Sequence, residues 1–127
     1  MALDPSIHCL IVDDSKVVRK FTRRIFENLG CTNLHEAEDG QQALDHCKAT
    51  MPKLIMLDWH MPVMTGLEFL KELRVLANGN DPVVIFCTTE NDFSNIGEAI
   101  ATGANEYVFK PFDDAIITGK LEQLGLM

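Results

Sequence analysis

Short apolar runs alternate with longer segments of helical periodicity along this chain. The apolar runs are typical of buried strands and lie near residues 8–12, 33–37, 53–57, 82–87 and 105–109. The longer segments between them repeat their apolar residues at helical spacing. This alternation of five strands with five helices predicts a doubly wound α/β domain, in which helices cover both faces of a parallel sheet.

The predicted helices differ in how clearly their buried face can be assigned. The first covers about residues 15–29 and is followed by Gly30, a good helix stop, and the third covers about residues 64–76. Gly97 and Gly119 interrupt later helices, and we interpret them as required by close packing rather than as a source of softness. The apolar faces of the first, third and fourth helices are predicted to consist of Val18, Phe21, Ile25 and Leu29, of Leu67, Leu70 and Leu73, and of Ile96, Ala99 and Ile100.

Composition and charge narrow the possible functions. The 127 residues are expected to form one domain over positions 1–127, and a hydrophobic content of 46% suits a globular core. A formal net charge of -8 argues against nucleic acid or an anionic membrane as the main partner. The amino terminus resembles neither a signal peptide nor an anchor, so we expect a cytoplasmic protein, and its starting methionine favours a complete messenger over a fragment.

The cysteines do not indicate a metal or redox site. Cys9, Cys31, Cys47 and Cys87 form no CxxC motif and do not cluster with histidine along the sequence. Buried, reduced thiols are therefore expected, in keeping with a cytoplasmic compartment.

Five polar residues follow the apolar runs of four predicted strands. They are Asp13, Asp14, Asp58, Thr88 and Lys110. Because the carboxyl ends of parallel strands share one edge of a sheet, these side chains are expected to converge on one pocket. Three crowded carboxylates repel one another unless a cation offsets their charge, and Mg²⁺ prefers such oxygen ligands. The set therefore predicts magnesium-dependent phosphoryl transfer.

Each of these residue types has a role in that chemistry. Asp58 suits a nucleophile that attacks phosphorus and forms an acyl phosphate. Thr88 offers a hydroxyl group to a phosphoryl oxygen, and Lys110 offers an ammonium group that neutralises developing charge. Structural roles are the alternatives: Asp14 or Ser15 as the cap of the first helix, and Lys110 as a surface lysine at a strand end.

Four segments carry a resemblance to a known family. They read LIVDDS from Leu10, EAEDG from Glu36, LDWHMPVMTGLE from Leu57 and EYVFKPF from Glu106. With these segments the chain resembles response-regulator receiver domains nearly from end to end, and among them most closely the chemotaxis regulators. The resemblance implies a flavodoxin-like sheet with strand order 2-1-3-4-5.

The resemblance also implies how the site would work. Asp58 would accept a phosphoryl group from a phosphohistidine of a histidine kinase or a histidine phosphotransfer protein. Asp14 and Asp58 would bind Mg²⁺ directly with the backbone carbonyl of His60, and Asp13 would act through water. His60, where chemotaxis relatives carry asparagine, would tune the lifetime of the phosphate together with Glu90.

The resemblance further implies a switch and an output surface. On phosphorylation, Thr88 would turn toward the acyl phosphate and Tyr107 would swing inward. This movement would change the surface of the fourth helix, last strand and fifth helix, to which a downstream protein target would bind. Asp92 and Phe93 replace lysines of the relatives on this surface, so the flagellar motor is not assumed to be the target.

The implied protein is a monomeric phosphoacceptor in a two-component phosphorelay, with chemotaxis as one pathway, and not an enzyme beyond its own phosphorylation and dephosphorylation. A phosphate sink or relay intermediate is an alternative. An aspartyl-nucleophile phosphatase is another, although it needs a second acid where this chain has His60. A flavodoxin-type electron carrier would need a glycine-rich phosphate loop where this chain has Asp13 to Lys16.

Basic residues are concentrated in the first predicted helix. Five of the eleven, Lys16, Arg19, Lys20, Arg23 and Arg24, fall within nine positions. Such a stripe is usually a solvated face, but this one adjoins the acidic pair in an otherwise acidic chain. It therefore predicts a docking surface for an acidic phosphodonor domain.

Overall fold

The computed structural model describes residues 3–89 and 95–127. Strands and helices alternate along these residues as predicted. The strands are β1 (Cys9–Val12), β2 (Leu34–Ala37), β3 (Leu54–Asp58), β4 (Val83–Thr88) and β5 (Glu106–Phe109). The helices are α1 (Lys16–Asn28), α2 (Gly40–Ala49), α3 (Gly66–Arg74), α4 (Ile96–Thr102) and α5 (Asp114–Gln123). Every strand begins one residue later than the sequence pattern predicts.

The strands form one parallel sheet in the order β2-β1-β3-β4-β5, which confirms the predicted fold class and strand order. In the register of the central strands, Val12 of β1 lies opposite Leu57 of β3, and Asp58 lies opposite Cys87 of β4. All carboxyl ends therefore lie at the same edge of the sheet, where a doubly wound fold places its ligands.

Two apolar layers cover the sheet, because successive strand residues point to opposite faces. On one face, Ile11 of β1 belongs to a cluster with Phe26 of α1 and Ile117 of α5. On the other, Leu10 belongs to a cluster with Phe69 of α3. Full burial of such side chains stabilises the fold by about 1.5–3 kcal/mol each. Among the described helices, none has the length and apolarity that a membrane crossing requires.

The cysteines belong to these layers, as predicted. All four are buried and free. Burial raises the pKa of Cys47 and of Cys87 to about 12, so both thiols remain protonated at neutral pH.

The predicted apolar face of α1 is only partly correct. Ile25 is buried as expected, but Phe21 is 49% exposed, and the buried positions are Arg19, Thr22, Ile25 and Phe26. Thr22 tolerates burial because its hydroxyl donates to the Val18 carbonyl at 2.9 Å. An apolar pattern does not reveal that a polar side chain with internal partners occupies a core position.

The ends of α1 follow the sequence signals. Of the two cap candidates, Ser15 is the N-cap, and its hydroxyl accepts a hydrogen bond from the Val18 amide at 3.3 Å. After the helix, Gly30 has a φ of +94°, a conformation that favours glycine. In α4 the prediction was partly wrong, because Ala99 is buried but Ile100 is 44% exposed.

Packing does not explain the glycines within α4 and α5, contrary to our interpretation of the sequence. Among the described residues, a Cβ atom built on Gly97 or on Gly119 would meet nothing within 4 Å. Close packing is instead required at Gly66, the first residue of α3, where a Cβ atom would overlap the carbonyl oxygen of Asp58. Glycine at position 66 thus lets α3 begin directly against the end of β3.

We expect Gly119→Ala to stabilise the protein by about 0.5–1 kcal/mol, because alanine lowers the entropy of the unfolded chain and finds open space in the helix. Urea unfolding measures the change. Gly30→Ala is the matched control: it also has open space but a positive φ, so the same substitution should destabilise the protein. A destabilised Gly119→Ala variant would contradict this account of α5.

Candidate functional site

Three carboxylates meet at the carboxyl edge of the sheet. Asp13 and Asp14 follow β1, and Asp58 ends the neighbouring strand β3. Oxygen atoms of all three lie within 4.8 Å of one another, a spacing that fits a common metal ion. Asp13 and Asp58 are buried, whereas Asp14 is exposed. The predicted acidic cluster is thus confirmed, with one carboxylate open to solvent and two enclosed.

Lys110 joins the two buried carboxylates. Its Nζ lies 2.9 Å from Asp13 Oδ2 and 2.9 Å from Asp58 Oδ1. Lys110 follows β5, and its backbone amide donates to the Thr88 carbonyl, which fixes the lysine backbone to the neighbouring β4. The peptide bond between Lys110 and Pro111 is cis. Charge-assisted hydrogen bonds of this length are the strong ones, so the ammonium group holds the two strand ends together.

Backbone amides orient both buried carboxylates. Asp13 Oδ1 accepts from the Ser15 amide at 2.9 Å, so both oxygens of this carboxylate have partners. Asp58 Oδ1 accepts from the Trp59 amide at 2.9 Å in addition to the lysine. The bonds that described residues donate to Asp58 thus converge on Oδ1 and leave Oδ2 for an incoming ligand. The Trp59 carbonyl accepts from the Gly66 amide at 2.9 Å, which anchors the loop after β3 to α3.

The pKa values show how these charges compete. Burial raises the pKa of Asp58, and the negative charge of Asp13 adds to this, although hydrogen bonding and attraction to Lys110 act in the opposite direction. For Lys110, burial alone would lower the pKa, but its bonds to both carboxylates outweigh burial and raise it. Three ionised carboxylates and one ammonium group leave two negative charges, which a divalent cation would neutralise.

Arg19 binds the backbone of Asp13, a role that its place in the basic stripe of the sequence did not predict. Arg19 Nη1 donates to the Asp13 carbonyl at 2.7 Å, and Arg19 Nε lies 3.0 Å from Glu36 Oε1. Arg23 Nη1 also reaches Glu36, at 2.9 Å. The only sequence signals were a stripe of basic residues and an acid in β2, and neither reveals that Arg19 is buried and paired with Glu36.

This arrangement corrects the predicted docking stripe. Arg19 is only 7% exposed and Arg23 is ion-paired with glutamate, so neither is an unengaged surface cation. Lys16, Lys20 and Arg24 remain exposed on α1. The basic surface of the helix is therefore smaller than the sequence indicates.

Other predicted site residues lie at or near the same edge. Thr88 is the buried last residue of β4, and its hydroxyl donates only a long 3.4 Å hydrogen bond to the Thr89 carbonyl. Tyr107 is half-buried on β5, with its ring centroid 5.5 Å from that of Phe109. His60 is exposed. Glu90, Asp92 and Phe93 lie outside the described residues, and the roles of all these side chains stay predictions.

Comparisons with known proteins agree with this geometry. The family model described as the response regulator receiver domain matches residues 9–122. A chemotaxis protein CheY homologue of Campylobacter jejuni is 35% identical over 116 residues, which cover 91% of this chain and 89% of that protein. The solved chemotaxis protein CheY4 of Vibrio cholerae is similar with a TM-score of 0.85 at 29% identity, covering 96% of this chain and 99% of that chain. The receiver domain of the Francisella response regulator 1452 gives a TM-score of 0.82 at 29% identity, with 94% and 96% covered.

We expect Mg²⁺ to bind this acidic cluster, to raise the melting temperature and to change the fluorescence of Trp59, the only tryptophan, which adjoins Asp58. Asp14→Asn should weaken Mg²⁺ binding at least about tenfold, because the exposed carboxylate is a ligand that ties down no strand end. Asp45→Asn, which removes an exposed carboxylate of α2, is the matched control and should bind like the parent. An equal Mg²⁺ response in both variants would refute the metal site.

Proposed function

We propose that this chain, which belongs to the response regulator receiver family, accepts a phosphoryl group on Asp58 with Mg²⁺ and passes the signal on as a phosphorelay protein. The observation that carries the proposal is the cluster of Asp13, Asp14 and Asp58, in which Lys110 contacts the two buried carboxylates. Family membership supports a receiver over the phosphatase and flavodoxin alternatives. The resemblance to CheY homologues supports chemotaxis as the pathway to test first.

In the proposed reaction a phosphoryl group moves from a donor phosphohistidine to Asp58. An Asp58 oxygen attacks phosphorus, so an O–P bond forms while the N–P bond of the donor phosphohistidine breaks and its electron pair returns to the imidazole. Mg²⁺ held by Asp14, Asp58 and the His60 carbonyl would neutralise charge on the phosphoryl oxygens, with Asp13 acting through water. The Lys110 ammonium already contacts Asp58 and is placed to pair with a phosphoryl oxygen.

The proposed switch begins with the Thr88 hydroxyl, which would form a new hydrogen bond to the acyl phosphate. The Thr88 hydroxyl, whose one hydrogen bond within the described residues is a 3.4 Å bond to the Thr89 carbonyl, would turn to a phosphoryl oxygen, and Tyr107 would move inward. Tyr107 borders a groove of about 260 Å³ that is also lined by Ile116 and Lys120. Because Ile116 is 43% exposed, movement of the tyrosine would reshape an apolar surface to which a target protein could bind.

We further propose that the phosphodonor docks beside α1. Val17 and Phe21 of the helix line an apolar groove of about 410 Å³ with Phe112, and Lys110 of the site borders it. The exposed Lys20 lies on the same helix. An apolar groove beside a helix that carries exposed cations suits a donor helix that has an apolar face and acidic flanks.

We expect acetyl phosphate with Mg²⁺ to add one phosphoryl group to the parent protein and none to Asp58→Asn, because the amide lacks the nucleophilic oxygen. Intact mass spectrometry measures the adduct. Without Mg²⁺ the parent should gain little. An adduct of equal yield on the asparagine variant would place the acceptor elsewhere and refute the assignment.

We expect the acyl phosphate of His60→Asn to decay faster than that of the parent, by about twofold or more. The smaller side chain would leave the phosphate more open to attack by water. After removal of acetyl phosphate, the rate at which the mass adduct disappears measures the effect. Identical decay rates would show that position 60 does not tune the lifetime.

We expect Lys20→Glu to slow phosphorylation by a protein donor about tenfold and to leave phosphorylation by acetyl phosphate unchanged, because reversed charge weakens docking and not chemistry. The donor is the histidine kinase of the source organism that phosphorylates the parent fastest. Lys48→Glu, an exposed lysine of α2, is the control and should behave like the parent. Equal loss with both donors would refute docking on α1.

A further inference from the structure

Three of the four histidines of the chain meet far from the acidic cluster. His8 directly precedes β1, His35 is the second residue of β2, and His46 lies in the last turn of α2. Their ring centroids are 4.7 Å apart for His8 and His35, and 5.0 Å apart for each of the other two pairs. The cluster thus lies near the amino end of β1, whereas Asp13 follows its carboxyl end.

The topology explains why histidines distant in sequence meet. Side chains alternate along a strand, so His8 points to the same face of the sheet as Leu10. Leu10 is the register partner of His35 in β2, which places both rings on one face. Helix α2 covers this face, because its buried Leu44 belongs to the same apolar cluster as Leu10. His46 therefore approaches the two strand histidines from the helix that covers this face of the sheet.

The ring nitrogens are close enough to share a ligand. His8 Nε2 and His46 Nε2 lie 2.8 Å apart, and one nitrogen from each of the three rings lies within 4.8 Å of the others. His35 Nε2 lies 2.8 Å from Asn33 Oδ1, which can only accept a hydrogen bond. This bond fixes the proton of His35 on Nε2 and leaves the lone pair on Nδ1, in the way that a second partner orients a metal-binding histidine.

The surroundings of the rings favour their neutral form. Burial lowers the pKa of His8, and the neighbouring His35 and His46 lower it further. Burial and His35 likewise lower the pKa of His46. Neutral imidazole is the form that binds metals. At neutral pH a metal ion would therefore have to displace few protons from His8 and His46.

We propose that His8, His35 and His46 form a binding site for a divalent transition-metal ion such as Zn²⁺, with water in the remaining position. Two nitrogens bound tetrahedrally to Zn²⁺ at about 2.0–2.1 Å lie roughly 3.3 Å apart, so the two closest rings must separate by only about half an ångström. His35 is exposed and the other two rings are half-buried, which permits this adjustment. The proton now shared between His8 and His46 moves to Nδ1 of its own ring, and both Nε2 lone pairs become ligands.

The donor set separates this site from the acidic cluster. Imidazole nitrogen suits Zn²⁺, Ni²⁺ and Cu²⁺, whereas carboxylate oxygen suits Mg²⁺. An ion bound to the histidines would connect β1, β2 and α2. Because the unfolded chain does not hold three imidazoles together, the ion binds preferentially to the folded state. Its binding therefore stabilises the fold, and the stabilisation grows with the concentration of the ion.

Calorimetric titration of the untagged protein with Zn²⁺, in the presence of excess Mg²⁺ that occupies the acidic cluster, tests the proposal. We expect one Zn²⁺ per chain, and at least about tenfold weaker binding by His46→Gln and by His35→Gln, which each remove one ligand. His60→Gln removes the fourth histidine and should bind like the parent. Circular dichroism and melting temperature without zinc check that each variant is folded.

Co²⁺ provides a second readout, because its absorption spectrum reports nitrogen ligands and coordination number. The parent and His60→Gln should give the same cobalt spectrum, and His46→Gln should lose it. Absence of zinc binding by the parent would refute the proposal and leave the rings as a hydrogen-bonded cluster. Equal weakening by His46→Gln and His60→Gln would also refute it, because the ion would then be bound elsewhere.

Discussion

The candidate site depends on the two ion pairs that the ammonium group of Lys110 makes with Asp13 and Asp58. Asp13 and Asp58 are buried at the ends of neighbouring strands, and two ionised carboxylates within 4.8 Å repel each other. At that spacing the repulsion is on the order of 3 kcal/mol for an effective dielectric constant of about 20. Since whole domains are stable by only about 5–15 kcal/mol, an uncompensated pair would be a serious cost. Two 2.9 Å contacts from one lysine offset it and connect the end of β5 to the ends of β1 and β3.

Lys110 offsets only part of the repulsion between the carboxylates. The negative charge that remains favours the binding of a cation. The pKa of Asp58 remains raised, first because of burial and then because of Asp13, despite the lysine. Since the folded-state pKa lies above the unfolded value, ionised Asp58 costs stability at neutral pH, and the cost disappears when the pH falls below both pKa values. A divalent cation removes the same cost without protonation. Burial of Asp58 thus costs stability by itself and favours a cation beside it, in keeping with the proposed magnesium site.

The acidic cluster could be predicted from the sequence because it depends on topology alone. Once Asp13, Asp58 and Lys110 are assigned to the ends of parallel strands, the fold brings them to one edge, whatever the details of packing. The buried face of α1 depends on details that composition conceals. Arg19 enters the core because the Asp13 carbonyl and Glu36 satisfy its guanidinium group, and hydrophobic periodicity scores arginine as solvent-exposed. Glycine in α5 was misjudged for a related reason, since only three-dimensional neighbours show whether space is filled or open.

The two ends of the sheet differ in chemistry because carboxylates meet at one end and imidazole rings at the other. At the carboxyl ends, loop amides of Ser15 and Trp59 donate to the carboxylates of Asp13 and Asp58. At the amino end of β1, the rings of His8, His35 and His46 crowd together, and burial and the neighbouring rings lower the pKa of His8 and of His46. Hard oxygen ligands and borderline nitrogen ligands therefore select different ions. One parallel sheet thus carries oxygen ligands at one end and nitrogen ligands at the other, and an ion at the proposed histidine site would join β1, β2 and α2 without neutralising the carboxylates of the acidic cluster.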